Sequence, residues 1–281
     1  MDKHELTLDQ ITEYGLSLRR EEKAEGTIEK YQRDLKAFLR WLNGRAATKE
    51  LAHDWKQALQ DQGYTPITIN SMLAALNGLF RFLGCGNFQI KLLKIQRRLF
   101  RDERRELTRL EYERLLETAH SLGLERLALV METICGTGIR VSEVRYITVA
   151  AAQQGKAEIA LKGKIRVILL PGKLRRKLLR YARKEKIASG EIFITRGGKS
   201  LGRRQIWAEM KRLCRVAGID PSKVFPHNLR HLFARTFYRT CRDLARLADV
   251  LGHSSTETTR LYLISTGAEH MKTLDRLHLV L

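Results

Sequence analysis

Three stretches late in the chain hold side chains able to act on a phosphate. In His227-Asn228-Leu229-Arg230-His231, His227 and Arg230 are three apart, so on a helix they share a face. Leu251-Gly252-His253 follows, and Thr258-Thr259-Arg260-Leu261-Tyr262 places a phenol nine residues after that histidine. An arginine offers a planar fork to two oxygens of one phosphate, which a lysine ammonium does not. A tyrosine beside it can attack the phosphorus and become covalently attached. His227 and His231, four apart, also have the spacing of a helical zinc pair. Asn228 stands where the His-Glu-x-x-His pattern needs its glutamate, so no metal is expected and His231 reads as a packing or hydrogen-bonding residue. Upstream lies Gly136-Thr137-Gly138-Ile139-Arg140-Val141-Ser142-Glu143, where glycines permit a tight turn that presents Arg140 at a helix start. Glu143, one helical turn on, is placed to brace that turn or a neighbouring arginine.

The elements that must position these groups can be read outward from them. Pro226 leads into the helix carrying His227 and Arg230. Before it, residues 202–217 and 172–187 read as basic helices, and Glu191–Ile194 as a short strand before a turn at Arg196–Lys199. Glu158–Pro171 reads as a β-hairpin, two apolar runs flanking Lys162-Gly163-Lys164. Thr108, with Glu111 three residues on, forms a capping box opening a helix to about His120, and a buried helix follows over roughly 123–135. Residues 1–90 carry four helical patterns. One spans 7–22, with Leu8, Ile11, Leu16 and Leu18 apolar and Gly26 as the break. A second opens at Thr27 as N-cap and runs to Leu42. The third covers about 48–62, and the fourth runs from Thr65-Pro66 to Leu83. The fourth helix has a polar, nearly uncharged face, readable as groove contact through hydroxyls and amides or as an ordinary solvated face.

Charge divides the chain as the helices do. Residues 1–90 hold 12 Lys+Arg and 12 Asp+Glu, whereas the remaining residues hold 40 and 19 and so carry the whole net charge of +21. Such an excess implies a polyanionic partner, nucleic acid first and an acidic membrane surface second. Residues 91–105, with seven basic and two acidic side chains including Lys94, Arg97 and Arg98, read as a basic linker. No apolar run approaches a membrane span and the first residues lack signal-peptide form, so a soluble, cytoplasmic protein is expected. Cys85, Cys135, Cys214 and Cys241 have no paired spacing and read as reduced thiols.

His-x-x-Arg-His, Leu-Gly-His and Thr-Thr-x-x-Tyr, in this order and with the Gly-Thr-Gly-x-Arg-x-Ser-Glu box upstream, resemble the tyrosine recombinases, the phage integrase family. The resemblance implies a mostly α fold with a small β-sheet. It implies a four-helix core-binding domain (1–90), a basic linker (91–106) and a mixed α+β catalytic domain (107–281). It implies that Tyr262 attacks DNA to form a 3′-phosphotyrosine, that Arg140, Arg230 and His253 hold the phosphate, and that His227 positions the tyrosine or handles its proton. It implies a general-acid lysine on the hairpin. The family pattern Gly-Lys-Gly-x-Lys-x-Arg is altered here, since Leu161 replaces the first glycine and the turn is one residue shorter. That leaves Lys162, directly before the glycine, and Lys164, otherwise a phosphate contact. Bond energy stays in the covalent link, so no ATP, metal or other cofactor is expected. Arg203 and Arg204 become candidate DNA contacts with Lys94, Arg97, Arg98 and Lys164. The implied partner is double-stranded DNA with paired sites, held by a homo-tetramer that is a monomer or weak oligomer when free. The apolar C-terminal segment, 265–281, is expected to dock on a neighbouring protomer or fold back on its own domain. With no arm-binding domain ahead of residue 7, the resemblance leans toward a simple recombinase working through a Holliday junction. The alternatives are a type IB topoisomerase, which shares the constellation, and a DNA-binding architectural protein without strand cleavage.

Overall fold

A computed structural model describes residues 3–95, 105–161, 164–253, 255–260, 262, 271 and 275–276, with side chains at 160, 161, 164 and 165 left undescribed. The chain divides into two compact units, 1–97 and 98–281, taken separately below.

The first unit is built on α1 (Leu8–Arg20), α2 (Glu25–Leu42), α3 (Lys49–Asp61) and α4 (Pro66–Phe82), followed by a 3₁₀ turn at Gly86–Phe88. Thr7 closes a capping box with Gln10, and Thr48 and Thr65 cap α3 and α4. Leu35, Phe38, Leu73, Leu76 and Phe80 are fully buried, and each such side chain stabilises the unit by roughly 1.5–3 kcal/mol. The apolar stripe of α1 runs through Ile11, Tyr14 and Leu18, while Leu8 and Leu16 are exposed, so two of the four expected core positions face solvent. Ile11, Tyr14 and Leu18 fall at i, i+3 and i+7, one face of a helix; Leu16 lies round the other side. The second helix starts earlier than expected, with Ala24 as cap and Gly26 and Thr27 inside its first turn. Glu25 in that turn takes Arg19 at 2.5 Å, and glycine costs little where the backbone N–H groups lack helical partners anyway.

The polar face of α4 is largely occupied. Asn70 exchanges a pair of hydrogen bonds with the backbone of Leu93, at 2.9 and 2.8 Å, and Asn77 does the same with Ile90, at 2.9 and 3.0 Å. Ser71 accepts from Lys30. These two amides therefore tie down the outgoing chain and are spent for groove contact.

The second unit begins with α5 (Arg109–Ser121), capped by Thr108 and Glu111. Next comes α6 (Glu125–Thr137), apolar nearly all round, with Leu127, Val130, Met131 and Ile134 buried. It packs against α5, α8 and α10 as the central helix. A 3₁₀ segment (Val141–Tyr146) and α7 (Val149–Gln154) lead to the hairpin β1 (Lys156–Leu161) and β2 (Lys164–Leu169). The hairpin is antiparallel with Lys156 opposite Leu169, Ile159 opposite Arg166 and Leu161 opposite Lys164. Then follow α8 (Gly172–Lys184), α9 (Arg203–Val216), α10 (Pro226–Cys241), α11 (Leu244–Leu251) and α12 (Thr256–Arg260). The architecture is thus mostly helical with one small two-stranded sheet. The strand expected at 191–194 is reduced to single bridges, Thr148 to Glu191 and Ile194 to Ser200. Its neighbour Thr148 is already the cap of α7, so no ladder can extend. Among the described residues no helix is long and apolar enough to cross a membrane, and all four cysteines are free thiols.

Candidate active site

Two helix ends and one buried cation form the frame. Helix α6 stops at Gly138 with φ +67°, where an added Cβ would lie 2.4 Å from Phe233. Helix α11 stops at Gly252 with φ +63°, and His253 N–H returns to Ala248 O at 3.0 Å. Arg230, one turn into α10, is 1% exposed. Its Nη1 donates to Gly138 O at 2.5 Å and its Nη2 to Leu251 O at 2.8 Å. The guanidinium thus caps the negative ends of two helices at once. Burial pushes its pKa down to about 10, with the neighbouring Tyr262 opposing that shift and Arg140 and Arg166 adding to it.

Arg140 sits at the start of the 3₁₀ segment in extended backbone. Its backbone N–H donates to Glu143 Oε2 at 2.8 Å and its Nη1 to Glu143 Oε1 at 2.9 Å. Glu143 is 1% exposed and also accepts from Arg166 Nη1 at 2.9 Å. Two guanidiniums, Arg140 and Arg166, therefore share one carboxylate, and Arg230 lies close enough to feel the charge of both. The surplus is positive, as an anion site requires.

His253 links this cluster to the tyrosine. Its Nε2 lies 2.8 Å from Arg230 Nη2, and its Nδ1 lies 2.8 Å from the hydroxyl of the buried Thr259. Since Arg230 can only donate, Nε2 accepts and Nδ1 carries the proton. Burial and then the charges of Arg230, Arg140 and Arg166 push the His253 pKa down to about 4, and burial followed by Arg230 and Arg140 lowers that of His227. Both shifts favour the neutral imidazole.

Tyr262 follows α12, its N–H bonded to Thr259 O at 3.0 Å. It is 7% exposed and packs with Ala234, Leu247 and Leu251. Three imidazoles surround its ring, with centroids at 4.3 Å for His231, 5.4 Å for His253 and 5.5 Å for His227. His227 and His231 meet edge to face at 4.6 Å, each also against the tyrosine ring. Among the described residues no three His, Cys, Asp or Glu side chains cluster as metal ligands.

A cavity of about 740 Å³ opens beside this cluster, and Arg140, His227 and Arg230 line it together with Arg203, Arg204 and Trp207. Of the expected residues, Arg140, His227, Arg230 and the two α9 arginines thus share one cavity, with His253 and Tyr262 bonded or packed to its lining. Lys94 is exposed in the first unit. Lys162, Arg97 and Arg98 and most of the C-terminal segment lie outside the described residues, as does the Lys164 side chain. Sequence reasoning missed Arg166, Thr259 and Trp207. The Lys-x-Arg ending of the hairpin pattern is the cue that could have found Arg166; a hydroxyl in the Thr-Thr-x-x-Tyr stretch is the weaker cue for Thr259.

The phage integrase family profile matches residues 105–269, and that of the phage integrase N-terminal SAM-like domain matches residues 11–84. Tyrosine recombinase XerD of Xanthomonas campestris pv. campestris is 30% identical over 281 aligned residues, covering 91% of this chain and 86% of its own. Tyrosine recombinase XerA of Thermococcus kodakarensis is 30% identical over 274, covering 93% and 92%. Among solved structures, the XerH site-specific recombinase bound to difH substrate superposes with TM-score 0.70 at 20% identity, over 95% of this chain and 84% of that one. The lambda integrase tetramer bound to a Holliday junction gives 0.73 at 19%, over 92% and 77%. At those identities the likeness to the solved structures is one of fold.

Proposed function

The chain belongs to the phage integrase family, and on that premise we propose that it breaks and rejoins DNA strands at specific paired sites through Tyr262. The observation that carries this is the setting of that tyrosine. Its ring is packed among three imidazoles, one of them bonded to the doubly anchored Arg230, and it neighbours a cavity lined by Arg140.

In the proposed reaction a DNA phosphate enters the cavity and takes the charge of Arg140 and Arg230 on its non-bridging oxygens, where charge builds in the transition state. The Tyr262 oxygen attacks phosphorus as the bond to the 5′-oxygen breaks, leaving a 3′-phosphotyrosine. The phenolic proton passes toward His227. The departing oxygen takes a proton from the hairpin lysine, Lys162 or Lys164. The 5′-hydroxyl of a partner strand then attacks the phosphotyrosine, which restores the phosphodiester and frees Tyr262. His253 is neutral and accepts from Arg230, so donation to a phosphate oxygen requires its other tautomer. Thr259 supports either one, because its hydroxyl accepts from Nδ1–H or donates to Nδ1. Glu143 and His231 support Arg140 and Tyr262. Arg203, Arg204, Lys164, Lys94, Arg97 and Arg98 bind flanking phosphates, and DNA-bound protomers assemble as a tetramer around a Holliday junction.

The test is covalent capture. A pool of nicked duplexes carrying random sequence is incubated with the chain and with Tyr262→Phe, and adducts are resolved on a denaturing gel. The expected result is an adduct joined to the 3′ end of the cut strand, absent from the variant. An adduct that survives Tyr262→Phe moves the nucleophile elsewhere. Relaxation of plasmids lacking any captured site would favour a topoisomerase, and tight salt-sensitive binding without adducts would favour an architectural protein.

A further inference from the structure

We propose that Arg166 is a positioning residue for leaving-group protonation: it fixes hairpin β1–β2, the stretch of sequence to which the proposed general-acid lysine belongs, against the residues that hold Arg140 and Arg230. This rests on the strand-cleavage chemistry proposed above.

The hairpin is held by one face only. Ala157, Ile159 and Ile168 are buried in the core, whereas Val167 is 48% and Leu169 75% exposed. Towards the tip, Arg166 lies opposite Ile159, two rungs from the closing pair Leu161 and Lys164. Its side chain is only 12% exposed and turns into the unit. There Nη1 donates to Glu143 Oε2 at 2.9 Å and Nη2 to Val250 O at 2.7 Å. Each contact refers the hairpin to one half of the phosphate grip. Glu143 is the carboxylate that orients Arg140. Val250 precedes Leu251, whose carbonyl holds Arg230, and Gly252-His253. The stem is fixed as well, since a Cβ on Gly252 would come within 2.3 Å of Arg166 Cδ. A cation present only to neutralise Glu143 needs one contact; this one is held at its two terminal nitrogens, Nη1 and Nη2, and along its stem.

The geometry makes such fixing consequential. Two rungs span about 7 Å at a strand's rise per residue, so tilting the hairpin by about 10° about Arg166 moves the tip by about 1 Å. A general acid must stay within hydrogen-bond reach of the oxygen it protonates. A displacement of about 1 Å in a reacting group costs on the order of 10²-fold.

The test separates leaving-group protonation from every other step. The site recovered by covalent capture is synthesised with either oxygen or sulfur at the bridging 5′ position. When sulfur leaves, the P–S bond breaks to a thiolate that needs no proton. Arg166→Gln is expected to cut the oxygen substrate about 10²-fold more slowly and the sulfur substrate within about 3-fold of the unaltered chain. Arg166→Lys is expected to show the same pattern more weakly. Lys162→Ala or Lys164→Ala is expected to show the same sulfur rescue, and adding Arg166→Gln to that variant should cause little further loss. Equal slowing of both substrates by the Arg166 variants would overturn the proposal, because the defect would then lie in phosphate binding or attack. Failure of sulfur to rescue either lysine variant, with Arg166→Gln still rescued, would instead remove the lysine from the chemistry. A DNA-independent check is amide hydrogen exchange. In both Arg166 variants the described β1 and β2 amides should exchange at least about 10-fold faster while those of α6 hold. Unchanged hairpin protection would also overturn the proposal.

Discussion

Replacing Glu143 by glutamine removes one charge and almost no volume, and its cost can be worked from the contacts. The carboxylate is 1% exposed and serves three donors, two from Arg140 and one from Arg166. The Arg140 side chain is 44% exposed, so solvent screens that pair and its loss costs about 0–1 kcal/mol. The Arg166 side chain is 12% exposed. Breaking a buried pair from one side leaves an uncompensated charge, a cost of about 3–5 kcal/mol. The second term dominates, so Glu143→Gln should destabilise the second unit by about 3–5 kcal/mol, or roughly 6–20 °C in melting temperature for a unit of this size. The chain has three tryptophans, Trp41, Trp55 and Trp207. In a Trp41→Phe/Trp55→Phe background Trp207 reports the second unit alone, which keeps the two units from blurring one transition. The double variant Glu143→Gln/Arg166→Met removes both charges and should lose at least about 2 kcal/mol less than the two single losses added together. A single-variant loss under about 1 kcal/mol, or strict additivity in the cycle, would refute the claim that Arg166 depends on Glu143 for its burial.

Two further outcomes are expected. His253 titrates near 4 when folded against an ordinary 6.5, and His227 is shifted the same way; between those values the unfolded chain binds more protons, so stability present above pH 6.5 should fall as pH drops toward 4. Melting temperature against pH would show it, and His253→Asn should flatten the slope. Asn70→Ala and Asn77→Ala should each cost about 1 kcal/mol and speed exchange of the Leu93 and Ile90 amides respectively, with protection in α3 unchanged.

Much of the candidate site was legible because its residues announce themselves by type and local spacing. Arg140 stands after two glycines that only a tight turn explains, and His227 and Arg230 share a helical face. What stayed hidden depends on partners remote in sequence. Arg166 reads as one more cation in a charged hairpin, and its burial is set by Glu143 and Val250, 23 and 84 residues away. Asn70 and Asn77 read as a polar helix face because the backbone they bind follows after the helix has ended. The start of helix two differs from expectation for another reason. Gly26 is a helix breaker by propensity, but a first-turn position with Glu25 bound to Arg19 overrides that preference.

The setting of Arg230 has a consequence for how the site meets its ligand. A buried cation is usually kept company by a carboxylate, which cancels its field. Here the guanidinium is coordinated by neutral carbonyl oxygens of Gly138 and Leu251, much as an ionophore wraps a metal ion. Dipoles hold the charge in place and offset part of it without an ionised partner, so a net positive field is left to reach the cavity. The protein thereby meets the desolvation cost of the cation during folding, before any DNA arrives. Among the described residues no carboxylate pairs with Arg230, so an approaching phosphate has none of their salt bridges to displace at this position.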